Sequence, residues 1–436
     1  MSLVRTSALA AGWLLVAGTS SISAQVPPCD VFCQSRRADR AEAAGDYRDF
    51  AARVRLIVAA APSHPGAVYA MARAFALTRQ PDSAIAWLGR LGTMGDTRDP
   101  DADSVFRGVT TRPAYRAARA RLLANRHPII GGKPAFAVPD ADFLPEGLAF
   151  DGKRARFLLG SLVHGRVEAM APNVEPTIVV PHTAEMLRVV GVHVDQRRDR
   201  LWFATWAPDS ATHADSTEAP SLTRLFLADR STGRLVRSWT PDGGAPGHLL
   251  NDFVVMADGS LYITDTERGS IYALRSPADT LELFLQPDET RFAVANGITS
   301  SPDGRMLYVA FLQGIARVDL DSRTIALVPA PDSVSTASVD GLYWYRGSLI
   351  GVQGLPTLSR VVRYTLSRDG RRVTASQVLE RGEPVVLEPT TGVIVGDRFY
   401  YIANSQYGRL DNSTSALTPQ SGTPVRTVVR VIDLPH

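Results

Sequence analysis

Lysine is almost absent from this chain: Lys133 and Lys153 are the only two among 47 basic residues. That leaves little room for Schiff-base chemistry, which needs a lysine amine held in a desolvated pocket. There is no basic run and no interleaving of aromatics with Arg, and the formal net charge is only +3. Nucleic acid is therefore excluded as a partner class. Beyond the N-terminus no stretch is long and apolar enough to span a bilayer, so no membrane span is expected. Also missing are a Gly-x-Ser-x-Gly elbow, a His-Glu-x-x-His helix and a Gly-x-Gly-x-x-Gly turn after a strand, which removes support for serine-hydrolase, zinc-protease and dinucleotide readings. Cysteine is scarce too. Cys29 and Cys33 stand alone, with no histidine nearby to complete a tetrahedral zinc site. In an oxidising compartment they are able to form a local disulfide that staples the N-terminus.

What is present begins with a targeting pattern. Arg5 forms a short positive region, Ala8 to Ala17 an apolar run interrupted by Gly12, and Ser21-Ile22-Ser23-Ala24 a small-residue exit. The run is too short to anchor, so residues 1–24 read as a cleaved secretory signal and the mature chain is expected to be periplasmic or secreted. Residues 25–36 follow as a linker carrying both cysteines. From 37 to 125 the composition turns Ala- and Arg-rich with helix-period apolar positions, and Pro65 and Pro81 fall where first turns begin. With Gln80-Pro81-Asp82-Ser83-Ala84-Ile85-Ala86-Trp87-Leu88, this segment resembles tetratricopeptide repeats over two units. Two units are too few for a continuous solenoid core, so the helices are expected to dock on the rest of the chain or on a protein partner.

Residues 135–436 change character again. VANGITSSPDGRMLYVAF, from Val294, alternates as strand, tight turn and strand. The same phase recurs in PEGLAFDGKRARFLLGS, VVGVHVDQRRDRLWFAT, LNDFVVMADGSLYITDT, VDGLYWYRGSLIGVQ and TTGVIVGDRFYYIANS. A repeat of about 45 to 60 residues built of short strands signals a propeller. The fold expected is an all-β six-bladed β-propeller preceded by a small α-helical segment. The strand near Phe136-Ala137-Val138 is expected to complete the sixth blade and close the ring.

In a propeller the innermost strands line a central channel, so equivalent positions converge. Aligned on one another, the six hairpins place Glu146, Val190, Asn251, Asn296, Asp340 and Thr391 at the first inward position. In every repeat but the third the next residue is glycine; the third has Asp252. Turn chemistry accounts for single Asn-Gly or Asp-Gly pairs. It does not account for oxygen-bearing residues recurring in phase, well ahead of the turns proper. Two carboxylates, two amides and a hydroxyl, with no soft ligand, suit one Ca2+ in the channel better than zinc or iron.

At these residues the chain resembles the superfamily of six-bladed calcium propellers that includes gluconolactonases, regucalcin-type senescence marker proteins and paraoxonases. PEGLAFD matches its first-blade Glu at Glu146, NDFVVMADGSLYITD its third-blade Asn at Asn251, ANGITSSPDGRMLYVA its fourth-blade Asn at Asn296, and VDGLYW its fifth-blade Asp at Asp340. The resemblance implies a calcium-dependent hydrolase of lactones or related esters, with those four residues as metal ligands and Asp340 also a candidate base. The paraoxonase-like branch uses a second-blade His; Val190 stands there instead. That leaves His164, His193 and His248 as further catalytic candidates, although strand alternation turns His193 away from the Val190 side. Asp265, Gln353 and Asn404 end second strands and are candidates for the pocket wall, with strand-end capping the alternative. The competing expectation for the whole chain is a non-catalytic, calcium-stabilised propeller that binds a protein or a carbohydrate-like ligand.

Overall fold

A computed structural model of the chain describes residues 29–207, 223–245, 247–277, 279–288, 291–410 and 423–435. The predicted signal, residues 1–24, lies outside the described residues, as do the whole polar insertion at 208–220 and most of the Ser/Thr-rich loop at 410–424.

Five helices come first. Asp30 and Asp46 cap α1 (Val31–Ala43) and α2 (Tyr47–Ala60), their carboxylates accepting the N–H groups of Cys33 (2.7 Å) and Asp49 (3.0 Å). Proline opens α3 (Pro65–Leu77), α4 (Pro81–Thr93) and α5 (Pro113–Ala124), where its missing N–H costs nothing. Phe50, Val54 and Met71 form one buried seam between successive helices; Leu88, Phe106 and Tyr115 form another. A Cys29–Cys33 disulfide joins the linker to the first turn of α1. No helix among the described residues is long and apolar enough to cross a membrane.

The remainder is a six-bladed β-propeller, each blade a four-stranded antiparallel sheet. Five blades use four consecutive strands. The sixth stacks Gly392–Val395, Arg398–Ile402 and Val428–Asp433, and its outermost strand is Gly132–Ala137 from the start of the domain, with Gly132 opposite Ile432. Apolar side chains fill the wedges between blades; Leu158, Val189, Phe203 and Phe226, for instance, pack together from blades one and two.

The helical segment docks on blades four and five. Ser335 Oγ donates to the Ser63 carbonyl (2.8 Å), the Thr97 N–H to the Thr357 carbonyl (3.1 Å), and Arg360 Nη1 to the Met94 carbonyl (2.9 Å). Fully buried Asp96 takes a two-pronged pair from Arg98 (2.8 and 2.9 Å) and a hydroxyl from Thr357 (2.7 Å). These polar contacts, between loops distant in sequence, set the helices on the propeller face from which the channel opens.

The glycines that follow the ring positions have a steric reason. A Cβ on Gly297 would stand 2.2 Å from the Asp340 carbonyl oxygen and 2.6 Å from the Leu342 nitrogen; one on Gly191 would stand 2.3 Å from the Asn251 carbonyl. The bare backbone lets adjacent inner strands touch, and the Gly297 N–H donates to the Asp340 carbonyl (2.8 Å). Gly297→Ala must therefore push blades four and five apart. A loss of about 3 kcal/mol is expected, at the upper end of overpacking costs, read as a lower denaturation midpoint. Alanine at exposed Gly108, which has nothing within 4 Å and no positive φ, controls for the loss of a glycine as such.

Candidate functional site

Each inner strand carries a bulge at the channel mouth. In blades one, two, three and five the pairing register slips between residues 145 and 148, 189 and 192, 250 and 253, and 339 and 342. Two residues then face one on the neighbouring strand, and the first side chain is re-aimed. Blade four has the same form, Asn296 N–H donating to the Ala310 carbonyl and Ala310 N–H to the Gly297 carbonyl. In blade six the bulge pair is Thr390 and Thr391, both set against Ile402. The ring is thus Glu146, Val190, Asn251, Asn296, Asp340 and Thr390. This corrects the sequence alignment, which put Thr391 in that place. Thr391 is the second bulge residue, where other blades have glycine, and its hydroxyl donates to the Glu146 carbonyl.

The ring lines a cavity of about 340 Å³ that opens on the helical-segment side and is walled by Trp206, Leu249, Pro389 and Tyr407. Glu146 Oε2, Asn296 Oδ1 and Asp340 Oδ1 are buried and have no hydrogen-bond partner in the protein, while the Thr390 hydroxyl faces the Glu146 carboxyl and favours its charged form. Buried oxygens without partners are costly, and three around one cavity mark a place built for something else to satisfy. The Asn251 amide is oriented from behind: its Nδ2 donates to Thr266 Oγ1 (3.0 Å), which itself donates to the Ala295 carbonyl (2.7 Å). Its Oδ1 is left as the acceptor for the cavity.

The electrostatics agree. Burial, then the nearby Asp340 charge, pushes the Glu146 carboxyl well above the usual range. Asp340 is pushed up to about 6, again by burial, with the Asn296 amide acting in the opposite direction. Two carboxylates crowded in low dielectric resist ionising together unless a cation joins them. Among the described residues no group of three or more His, Cys, Asp or Glu has metal-site geometry; two of the ring's five oxygen-bearing side chains are amides, a pattern suited to a hard cation. The residues present fit a divalent ion held by oxygen.

A larger cavity, about 530 Å³, occupies the other end of the channel; Val190 and Asn251 line both. It holds His193, Asp252, Tyr343 and Thr391. His193 therefore lies along the channel after all, because the bulge at Val190 and Gly191 breaks the alternation that would have turned it away. Burial holds its pKa down at about 4, so it is a neutral imidazole. Asp252, which sequence reasoning registered only as an exception to the glycine rule, is pushed up to about 7 by burial. Its carboxylate accepts the Phe253 N–H (2.9 Å) and also faces the Ile298 N–H of blade four, so it straps blades three and four where a glycine elsewhere lets them touch.

The other candidates stand apart. His164 Nε2 pairs with Asp140 (2.7 Å) at a half-exposed site. His248 is buried with Nδ1 against Asp265 Oδ2 (2.5 Å), and Asp265 Oδ1 accepts the Leu249 N–H (3.0 Å). Gln353 joins the Ala337 carbonyl (2.7 Å) to Arg360 Nε (2.8 Å), and Asn404 Oδ1 accepts the Val428 N–H (2.8 Å). None of these five lines either channel cavity; Asp265, Gln353 and Asn404 fasten loops, as strand-end caps do. Glu388, at the cavity wall on the loop between blades five and six, was not foreseen. No periodicity marks a loop residue.

Fold and site together define a six-bladed propeller with an oxygen-lined channel mouth. Solved structures with a similar fold include a calcium-binding regucalcin from Agrobacterium tumefaciens (20% identity, 69% of this chain and 94% of that one, TM-score 0.45). They also include a gluconolactonase from Xanthomonas campestris (16%, 71% and 100%, 0.44) and a glucose dehydrogenase (11%, 70% and 99%, 0.47). No protein-family model and no curated protein sequence matches the chain.

Proposed function

We propose that the chain is an exported hydrolase of lactones or related esters that uses one Ca2+ held at the channel mouth. The observation that carries this reading is the set of partnerless buried oxygens, Glu146 Oε2, Asn296 Oδ1 and Asp340 Oδ1, around one cavity. Glu146, Asn251, Asn296 and Asp340 would hold the ion. When bound, calcium supplies Lewis-acid polarisation of a substrate carbonyl. The chain's own residues do the rest. Trp206, Leu249 and Tyr407 give the substrate an apolar wall that limits bulk water. Asp340 Oδ1, free of protein donors, takes the proton of the attacking water, and Thr266 keeps the Asn251 amide from turning. Export accords with the Cys29–Cys33 disulfide, which belongs to oxidising compartments.

One observation favours the alternative, a non-catalytic propeller that binds a protein or carbohydrate-like ligand: Val190 occupies the second-blade ring position, and no histidine among the described residues lines the ring cavity. A turnover screen over γ- and δ-lactones and aryl esters, with calcium and with chelator, separates the two. The hydrolase should turn over at least one class, lose it in chelator and regain it with calcium. No turnover anywhere, with calcium still raising the melting temperature, would leave the binding role.

A further inference from the structure

A third cavity, of about 250 Å³, lies where the helical segment meets blade five. Three guanidinium side chains converge on it: Arg126 from the linker after α5, and Arg360 and Arg381 from blade five. Among the described residues, no carboxylate lines it. None of the three is among the ion pairs of the described residues, and each donates to neutral acceptors. Arg360, only 4% exposed, gives Nε to Gln353 Oε1 (2.8 Å) and Nη1 to the Met94 carbonyl (2.9 Å). Arg381 makes two long bonds, to the His127 carbonyl (3.3 Å) and Asn125 Oδ1 (3.4 Å); Arg126 gives Nε to the Thr97 carbonyl (2.8 Å). Asp96 bears on Arg360 through space, but it is already held by Arg98 and Thr357.

A guanidinium does not shed its proton in proteins. Burying one against neutral carbonyls, with a second positive charge beside it, therefore costs stability, and the Tyr364 hydroxyl and the more distant Asp96 charge offset only part of that cost at Arg360. Burial and, further, the Arg381 charge both disfavour the charged form of Arg360. We propose that this joint is a binding site for a small oxoanion, of the phosphate or carboxylate kind, gripped by Arg126, Arg360 and Arg381. Planar forks of N–H donors match such anions in charge and geometry. The anion would fasten the helices to blade five, next to the loop whose Val386 and Leu387 line this cavity and whose Glu388 lines the ring cavity.

The test is thermal melting of the full chain in calcium-free buffer, titrated with inorganic phosphate, sulfate or acetate against sodium chloride of equal ionic strength. At least one oxoanion should raise the melting temperature saturably above the chloride curve. Arg381→Gln and Arg126→Gln should each weaken the apparent affinity about tenfold or more, the worth of one charge-assisted hydrogen bond. Should Arg381→Gln fold poorly, Arg126→Gln, at an exposed position, carries the same readout. Coincident curves for all three oxoanions and chloride would overturn the proposal. So would a saturable rise that both substitutions leave unchanged, because the anion would then sit elsewhere.

Discussion

Asp340→Asn is expected to lower turnover by about a hundred to ten thousandfold at saturating calcium, the usual contribution of a positioned general base. Asn296→Ala, by contrast, is expected to weaken calcium binding and recover most of its rate once calcium is raised. The two residues are neighbours in the ring, and each presents a partnerless oxygen to the same cavity. Asparagine at 340 keeps an oxygen of nearly the same size but removes both a charge and a proton acceptor. Alanine at 296 removes an oxygen and leaves both carboxylates. If calcium only braces the blades, the two variants will lose melting temperature in parallel and there will be no rate to compare. An Asp340→Asn enzyme as fast as wild type at saturating calcium would exclude Asp340 as the base. Glu388, at the cavity wall, would then be the next carboxylate to replace.

The second large effect is a pH dependence that calcium reverses. In chelator, three buried carboxyls should lower the melting temperature as pH rises from about 4 to 8, opposed below about pH 6.5 by His64 and His193, whose pKa values of about 4 add stability as pH rises. The sign follows from linkage: a carboxyl whose folded pKa is raised keeps its proton in the folded chain after the unfolded chain has lost it, so its stabilising contribution is present at low pH and disappears as pH passes the folded value. Burial raises Glu146, takes Asp340 to about 6 and Asp252 to about 7, so the fall should be centred between pH 5 and 8. Calcium at about a hundredfold over its dissociation constant should restore about 2.7 kcal/mol, most visibly at pH 8 where the ligands are ionised. Glu146→Gln should flatten the metal-free pH profile and melt higher than wild type at pH 8 in chelator, while losing the calcium response. A Glu146→Gln profile in chelator that runs parallel to wild type across this range would show that these carboxyls are not desolvated together.

Most of the ring was legible because a propeller repeats its geometry and the sequence repeats with it. Glu146, Asn251, Asn296 and Asp340 share a phase, and the glycine after Glu146 and after Asn296 is forced by the approach of the next blade. The same cue misled in the sixth repeat. Gly392 follows Thr391 and drew the alignment one residue late, but its tight contacts are with Phe399 and Tyr400 of its own hairpin, so it answers a different steric demand. His193 was misdirected for a related reason: plain alternation assumes an unbroken strand, and a bulge is invisible to a two-residue period. The loop-borne features were not legible at all. Glu388, the docking of Asp96 on Thr357 and the three converging arginines depend on segments some 250 residues apart meeting through polar contacts, and such contacts leave no periodic trace.

The sixth blade bears on how the chain reaches its native state. Its outer edge is formed by Gly132–Ala137 and the next strand by Val428–Asp433, so the seam joins segments about 300 residues apart, among the most non-local pairings a chain of this size can make. A nascent propeller can assemble five blades as it emerges, yet its first strand has no partner until the final segment is synthesised. Until then the outermost strand of the ring is an open edge exposed to other chains. Premature termination anywhere before Val428 therefore leaves a ring that cannot lock, however well its first five blades are formed.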